Sequence, residues 1–393
     1  MITVSYSGVH QAYQLALAAQ EVGRLDRFYC SFYDAPGKWG HRLSKVLGAD
    51  VLKNRRLEGI DPDRVREHPW PELAFKLRGR IKMLPGNAWI EAAQVFDKWA
   101  AKQIGRRKSR SVICTENCAY ETFQVAAKLG MRRIYDCPGH NTKLWQKTTE
   151  EAARQTGLSF VSTADTPEIT RRKEVEIGLA DIVLTYSDFH TTGVMARGVS
   201  RERIVQIPLW TDPDFWTPPA VPRSRKGPLR VLFAGGINLR KGVPFLIEAV
   251  RTLAPHARLT LVGSLDPDAK ACLTGSDAFT TVLAPVGKAS LREIYRDHDV
   301  LVLPSLGDSF GFVAMEAMAC GLPVILTTHC GAPVPDDSWR VPVMDAGVIM
   351  DRLSIYLDGF EQLHHHSNLA RKFAMEYTPI RYRVALANVF RNL

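Results

Sequence analysis

The chain has 393 residues, room for two or three domains, and its 46% hydrophobic and 23% charged content is that of an ordinary globular protein. Against 41 Asp and Glu stand 51 Lys and Arg, a net charge of +10, and residues 1–110 alone, with 20 basic and 11 acidic side chains, carry +9 of it. That imbalance excludes a uniformly basic nucleic-acid coat and points to one basic face on one part of the molecule. No apolar run reaches the ~18 residues of a membrane span. Residues 1–6 read as a strand rather than a secretory signal. Seven scattered cysteines make no disulfide framework, so free thiols of a cytoplasmic protein are expected.

In chain order, short β-branched or aromatic runs alternate with helical stretches. Strands are predicted at 2–6, 28–32, 112–115, 133–136, 182–185 and 204–207, then at 231–234, 258–262, 280–283, 300–303 and 323–326. Several are apolar at consecutive positions, the pattern of parallel strands covered on both faces. The expected fold is α/β with two doubly wound, Rossmann-like domains. A proline-rich break at 208–229 divides them, giving an N-terminal domain over residues 1–210 and a C-terminal domain over 211–376. Ligands of such sheets sit beyond the C-terminal strand ends, so the two domains should face a central cleft.

Four turns carry candidate chemistry. The turn after 231–234 reads FAGGINLRKGVP: Gly235 and Gly236 permit close backbone approach, and Arg240 and Lys241 add two cations. Either this is an anion site at a helix start, suited to a diphosphate, or a plain turn with solvated cations. The segment 297–325, DHDVLVLPSLGDSFGFVAMEAMACGLPVI, has Asp308 in a Gly/Ser loop and Glu316 eight positions on, within a helix of small residues. Phe310 and Gly311 should present exposed backbone N–H groups at that helix start. Asp308 reads as a sugar-hydroxyl acceptor or as a helix cap. Glu316, in a largely buried helix, needs a partner and could bind a ribose diol. The loop 7–10, SGVH, follows the first strand, with His10 at the cleft or at the helix start. The turn 136–141, DCPGHN, sets His140 at a strand end, beside Thr115, Glu116 and Asn117 at the end of another strand.

Asp308 to Ile325 resembles the signature of retaining GT-B glycosyltransferases of family four (glycosyl transferases group 1): an acid, seven residues, Glu, then a small-residue helix and a Gly-Leu-Pro-Val-Ile strand. The resemblance extends over most of 180–393, including ADIVLTYS at 180–187, QIPLWTDPDFWTP at 206–218 and a last helix at 377–393 that crosses back to the first domain. It implies a GT-B fold with an acceptor-binding N-terminal domain and a donor-binding C-terminal domain. It further implies retaining, metal-independent, front-face transfer of a hexose from a UDP- or GDP-sugar to a hydroxyl of a glycan or lipid-linked glycan. No cofactor is implied beyond that donor. By resemblance, Lys241 and Arg240 neutralise the diphosphate, and Gly235 and Gly236 shape its loop. Gly8 approaches it from the opposite domain. Glu316 binds the ribose, and Asp308 with the Phe310 and Gly311 amides binds the donor sugar. His140 lies near the anomeric centre. One departure stands out: the family usually has Arg where this chain has Gly236.

That departure keeps two other readings open, a sugar-nucleotide epimerase or hydrolase on the same fold and a non-catalytic nucleotide-sugar-binding relic. A Rossmann oxidoreductase is disfavoured, since no strand is followed by a complete G-x-G-x-x-G with its distal acid. His364, His365 and His366 point three ways on a helix and read as solvated rather than metal-binding. The Asp212 and Asp214 pair, split by Pro213, is likewise not read as a metal site. The stretch 73–83, LAFKLRGRIKM, alternates apolar and basic, which favours an extended segment. With Arg55, Arg56, Arg106, Arg107 and Lys108 it makes either a face for an anionic membrane, giving a peripheral protein, or a solvated surface.

Overall fold

A computed structural model describes the chain except residues 10, 48–51, 53–54, 81–87, 106–108, 140, 159–165 and 222–226. It contains two all-parallel sheets. The first has β1 (Ile2–Ser5), β2 (Leu25–Cys30), β3 (Val65–Glu67), β4 (Ser111–Thr115), β5 (Arg132–Asp136), β6 (Ile182–Thr185) and β7 (Ile204–Gln206), in the order β3-β2-β1-β4-β5-β6-β7. The second has β8 (Leu229–Ala234), β9 (Ala257–Val262), β10 (Thr280–Leu283), β11 (Val300–Leu303), β12 (Val324–Thr327) and β13 (Arg340–Val341), in the order β10-β9-β8-β11-β12-β13. Both orders reverse direction once, at β1/β4 and at β8/β11. These are the switch points where neighbouring crossovers diverge and leave a crevice.

Central strands such as β11 (VLVL) and β12 (VILT) are buried at every position, as unbroken apolar runs require. All eleven predicted strands are present. The two that sequence reading missed, β3 and β13, are sheet edges only three and two residues long, and each contains an arginine. So little apolar pattern gives no periodic signal.

The stretch at 73–83 corrects the sequence reading. It is not extended: the helix Trp70–Arg80 covers its described part. Pro71 occupies the first turn, where its missing N–H costs nothing, and Glu72 pairs with Lys76 at 2.9 Å one turn on. Of the alternating apolar residues, Leu73 and Phe75 are half-buried while Leu77 stands exposed, so they share no single face of the helix.

Two features hold the halves in register. After β7 the chain crosses between sheets, and Thr211 N–H donates to the Tyr377 carbonyl at 2.8 Å. The Arg371 guanidinium donates to the carbonyls of Pro213 (3.1 Å), Trp216 (2.8 Å) and Ala319 (2.7 Å), clamping the crossing to the second half. The final helix, Pro379–Arg391, then returns to the first half and packs Tyr382, Leu386 and Phe390 into its core. Arg383 reaches Gln14 and Glu21 at 2.9 Å each, and Arg24 donates to the carbonyls of Arg391 and Leu393. Among the described residues, no helix is long and apolar enough to cross a membrane. All seven cysteines are unpaired.

Arg371→Ala leaves two carbonyls of the crossing, Pro213 and Trp216, and that of Ala319 without their donor. We expect a loss of at least about 2 kcal/mol, the worth of a single hydrogen bond from a charged donor. A lowered urea midpoint at unchanged secondary structure is the readout.

Candidate functional site

The C-terminal ends of the two sheets face one another across a cleft. On the second half, the turn after β8 is built by glycines. Gly235 has φ 145° and Gly263, at the end of β9, has φ 151°. A Cβ on Gly263 would lie 1.8 Å from the Gly235 carbonyl oxygen, so the two loops pack backbone to backbone. Asn238 caps the following turn, accepting from Lys241 N–H at 2.9 Å and donating to Asp266 at 3.0 Å. Gly242 (φ 68°) lies against the end of β11, where a Cβ would meet the Pro304 oxygen at 1.9 Å. Leu306 N–H donates to the Arg240 carbonyl at 3.0 Å. Arg240 and Lys241 are thereby pinned beside the loop that carries Asp308.

Lys241 Nζ donates to Asp308 Oδ2. The other carboxylate oxygen accepts from Gly311 N–H at 3.0 Å and, more weakly, from Phe310 N–H at 3.4 Å. Asp308 is thus both ion-pair partner and cap for the helix Phe312–Ala319. This corrects the expectation of free N–H groups at that helix start, because both donors already serve Asp308. Burial by itself would raise the Asp308 carboxyl. Lys241, Arg240 and the Phe310 N–H outweigh it and hold the group below the usual carboxylate range. Among the described residues the Arg240 side chain forms no ion pair, leaving one uncompensated cation at the cavity wall.

Arg240, Lys241, Asp308, Gly235, Phe310 and Gly311 line a cavity of about 420 Å³, closed from the first half by Tyr6, Gln11, Pro138 and Tyr186. Gly236 stands just behind Gly235, and a Cβ there would meet the Asn238 side-chain amide at 3.0 Å. Gly8 does not line this cavity. A Cβ at that position would be 2.4 Å from the Tyr6 ring, so Gly8 lets the loop fold over Tyr6, which itself forms the wall. His140 and His10 lie outside the described residues. The turn before position 140 is anchored: buried His190 Nε2 meets the Gly139 carbonyl at 3.0 Å, while Tyr186 N–H donates to His190 Nδ1 at 3.3 Å.

Beneath this wall, buried Asp136 accepts from the Tyr186 hydroxyl and from Thr115 Oγ1 at 2.8 Å. Burial pushes the Asp136 carboxyl up to about 6, against the pull of those two hydrogen bonds. Glu116 pairs with Lys173 at 2.8 Å. Sequence reading missed Tyr186 and Gln11 as wall residues. Tyr186 was findable, since it directly follows β6.

Glu316 faces a second, adjoining lobe of about 590 Å³, lined also by Tyr13, Gln14, Trp210, Asp212 and Lys288. Phe312 lines both lobes. The partner that a buried Glu316 requires is Tyr295, whose hydroxyl donates to Oε2 at 3.2 Å. Burial pushes the Glu316 carboxyl up to about 7, opposed by Tyr295 and by Lys288. Asp308 and Glu316, eight positions apart, therefore serve two different lobes. Asp212 spends its carboxylate on its own turn, accepting from Asp214 and Phe215 N–H at 3.2 Å. His366 is held by Tyr356 and Gln362 at 2.8 Å.

Residues 228–357 match the family described as Glycosyl transferases group 1. The D-inositol 3-phosphate glycosyltransferase of Arthrobacter sp. (strain FB24) is 33% identical over 287 residues, 66% of this chain and 65% of that protein. The protein of the same description from Pseudarthrobacter chlorophenolicus is 29% identical over 239 residues, 56% of this chain and 53% of that one. The chain thus spans about half to two thirds of the length of these curated relatives. Among solved structures, Anabaena Alr3699/HepE in complex with UDP superposes with a TM-score of 0.64 at 14% identity, covering 100% of this chain and 99% of that one. The shared architecture is the GT-B fold.

The raised Glu316 carboxyl sets a pH dependence. An acid that binds its proton more tightly folded than unfolded favours the folded state at low pH. Its contribution declines as pH rises from its unfolded value, near 4.5, through about 7. Glu316→Gln should therefore raise the melting temperature at pH 8 more than at pH 5. An equal shift at both would show that Glu316 carries no such penalty.

Proposed function

We propose, from the match of residues 228–357 to the glycosyl transferases group 1 family, that the chain moves a hexose from a nucleoside-diphosphate sugar to a hydroxyl of a glycan or lipid-linked glycan, with retention at the anomeric carbon. The observation that carries this reading is the convergence of Lys241, Arg240 and Asp308 on one cavity at the switch points of both sheets. Two adjacent cations in a partly dry cavity suit a diphosphate, and an ionised carboxylate beside them suits sugar hydroxyls. The second lobe, with Glu316 on one wall and Trp210 on another, has the size and mixed polarity to take a nucleoside. A fold neighbour, Anabaena Alr3699/HepE, has also been solved in complex with UDP-glucose.

On this reading the ligand-free ion pair is a placeholder. An incoming diphosphate takes over the Lys241 ammonium, and Arg240 approaches from the other side. Asp308, its other oxygen still held by the Gly311 and Phe310 N–H groups and with Arg240 close by, turns its freed oxygen to the sugar. As the glycosidic C–O bond breaks, negative charge builds on the leaving phosphate oxygen, where both cations stabilise it. The acceptor oxygen attacks the same face of the sugar and its proton passes to that phosphate oxygen, so no separate base is needed. Because Arg240 and Lys241 supply the positive charge, a divalent metal is not required, and chelation should leave the rate unaltered. Glu316 accepts from the ribose diol, exchanging its Tyr295 hydrogen bond for two from the ligand.

The test is a panel of UDP-, GDP- and ADP-sugars scored by melting-temperature shift, followed by transfer assays with the donor selected. Lys241→Ala should lower kcat by about 100-fold or more, the usual cost of removing one preorganised donor at a developing anion. Glu316→Ala should weaken nucleotide binding about tenfold, with a smaller change in kcat. No shift with any of the three nucleotides would overturn the reading. Epimerised sugar without acceptor would favour the epimerase instead.

A further inference from the structure

Two helices on the basic half are mounted with their apolar stripes outward. The first, Trp39–Leu47, follows β2; the second, Trp70–Arg80, follows β3. Trp39, Leu43 and Val46 fall at i, i+4 and i+7, and so do Trp70, Ala74 and Leu77. Exposure reaches 50% at Trp39, 79% at Val46, 58% at Trp70 and 63% at Leu77. The small and polar side of the first helix faces the protein instead. Gly40 lies on the Tyr33 backbone, where a Cβ would come within 2.5 Å of the Tyr33 oxygen. His41 and Ser44 both bond Asp34, at 2.9 and 3.2 Å. Glu67 caps the helix start, accepting from Trp39 N–H at 2.7 Å and Gly40 N–H at 2.8 Å. These bonds fix the helix's rotation, so the stripe cannot roll inward without breaking them.

The two stripes meet in one patch. The Trp39 and Trp70 rings pack edge to face at 5.7 Å, and the Arg42 guanidinium sits over Trp39 at 5.3 Å. Exposed Arg42 and Lys45 stand on the first helix, which contains no acid, and exposed Lys76, paired with Glu72, stands on the second. Apolar and aromatic residues at the centre with cations at the rim match the lipid–water interface, where ring and stem enter the acyl boundary and charge stays with the headgroups.

We propose that this patch docks on the surface of an anionic lipid bilayer. Both helices leave the C-terminal strand ends, the edge that also carries the cleft. Arg55 links them to it, donating to both Glu72 oxygens at 2.9 and 3.0 Å and to the Ser7 carbonyl at 2.9 Å. A docked bilayer therefore lies beside the cleft mouth. Delivery of a lipid-linked acceptor there rests on the transfer reading above, whereas docking itself does not.

Sedimentation of the full chain with phosphatidylcholine vesicles, with and without phosphatidylglycerol, tests this. Binding should be at least about tenfold tighter to the anionic vesicles and weaken in high salt. Val46→Ser and Leu77→Ser should each weaken it several-fold, and Trp39→Ser by about tenfold. Nucleotide affinity and melting temperature, measured in parallel, should be unchanged, which separates loss of docking from loss of the donor site. If Trp39→Ser disturbs folding, the highly exposed Val46 decides. Equal binding to both vesicle types, parental binding by the serine variants, or a concentration-dependent dimer that Trp39→Ser dissociates without vesicle binding would each overturn the proposal.

Discussion

The contact between Lys241 and Asp308 sets the state of the cavity beside the glycine loops. It joins the turn after β8 to the turn after β11, the two loops that flank a switch point. A lysine turned into a partly dry cavity without a counter-charge would be costly, and so would an aspartate alone. Paired, they neutralise one another. The second oxygen of Asp308 is simultaneously bound by backbone N–H groups, so the carboxylate keeps hydrogen-bond donors of its own beside Lys241. An anion entering here need not bring a new charge into an uncharged site. On the proposed transfer reading it would exchange one carboxylate for one phosphate on the same ammonium, with Arg240 beside it for the excess negative charge.

That exchange depends on backbone geometry more than on side chains. Three glycines hold the loops at distances no Cβ would permit: Gly263 on Gly235, Gly242 on Pro304, and Gly311 beside Cys330, where a Cβ would be 2.8 Å from Sγ. The first half supplies a wall rather than charge. Tyr6 and Tyr186 stand on buried hydrogen-bonded groups, with Asp136 beneath Tyr186 and His190 holding the Gly139 turn. The Arg371 clamp and the returning C-terminal helix keep this wall opposite the glycine loops. Residues up to 369 positions apart in sequence thus fix the cleft.

Much of this was legible from sequence because it rests on local rules. The glycine turn, the Asp308 to Glu316 spacing, the proline crossing and the eleven predicted strands all follow from φ preferences, side-chain period and apolar runs. What escaped depended on tertiary partners. Whether the Gly311 N–H is free or bound is decided by the direction of Asp308, and local sequence serves an N-cap and a ligand acceptor equally well. Glu316 announced that it needed a partner, but Tyr295 lies in a different helix and no spacing links them. The stretch at 73–83 failed differently. Alternation at period two is a reliable strand signal only when one face is buried, and in a helix with an exposed apolar stripe that premise does not hold.

The same exposed stripe explains the charge asymmetry. The +9 of residues 1–110 does not gather at the diphosphate-sized cavity, whose cations, Arg240 and Lys241, belong to the nearly neutral remainder. Two of the excess charges, exposed Arg42 and Lys45, lie on the helix that carries Trp39 and Val46 instead, and Lys76, paired with Glu72, lies on the helix that carries Trp70 and Leu77. Leaving four large apolar side chains half or more exposed forgoes roughly 1–2 kcal/mol at each. The fold does not do so for want of an alternative. It commits Asp34 and Glu67 to bonds that turn the first helix's polar side inward and hold it there. A surface both apolar at its centre and cationic at its rim is poorly matched to water alone and well matched to a phospholipid interface. On the docking proposal the exposed cations of the first half serve that interface, while the cavity between the sheets holds one neutralised pair, Lys241 and Asp308, with Arg240 beside it.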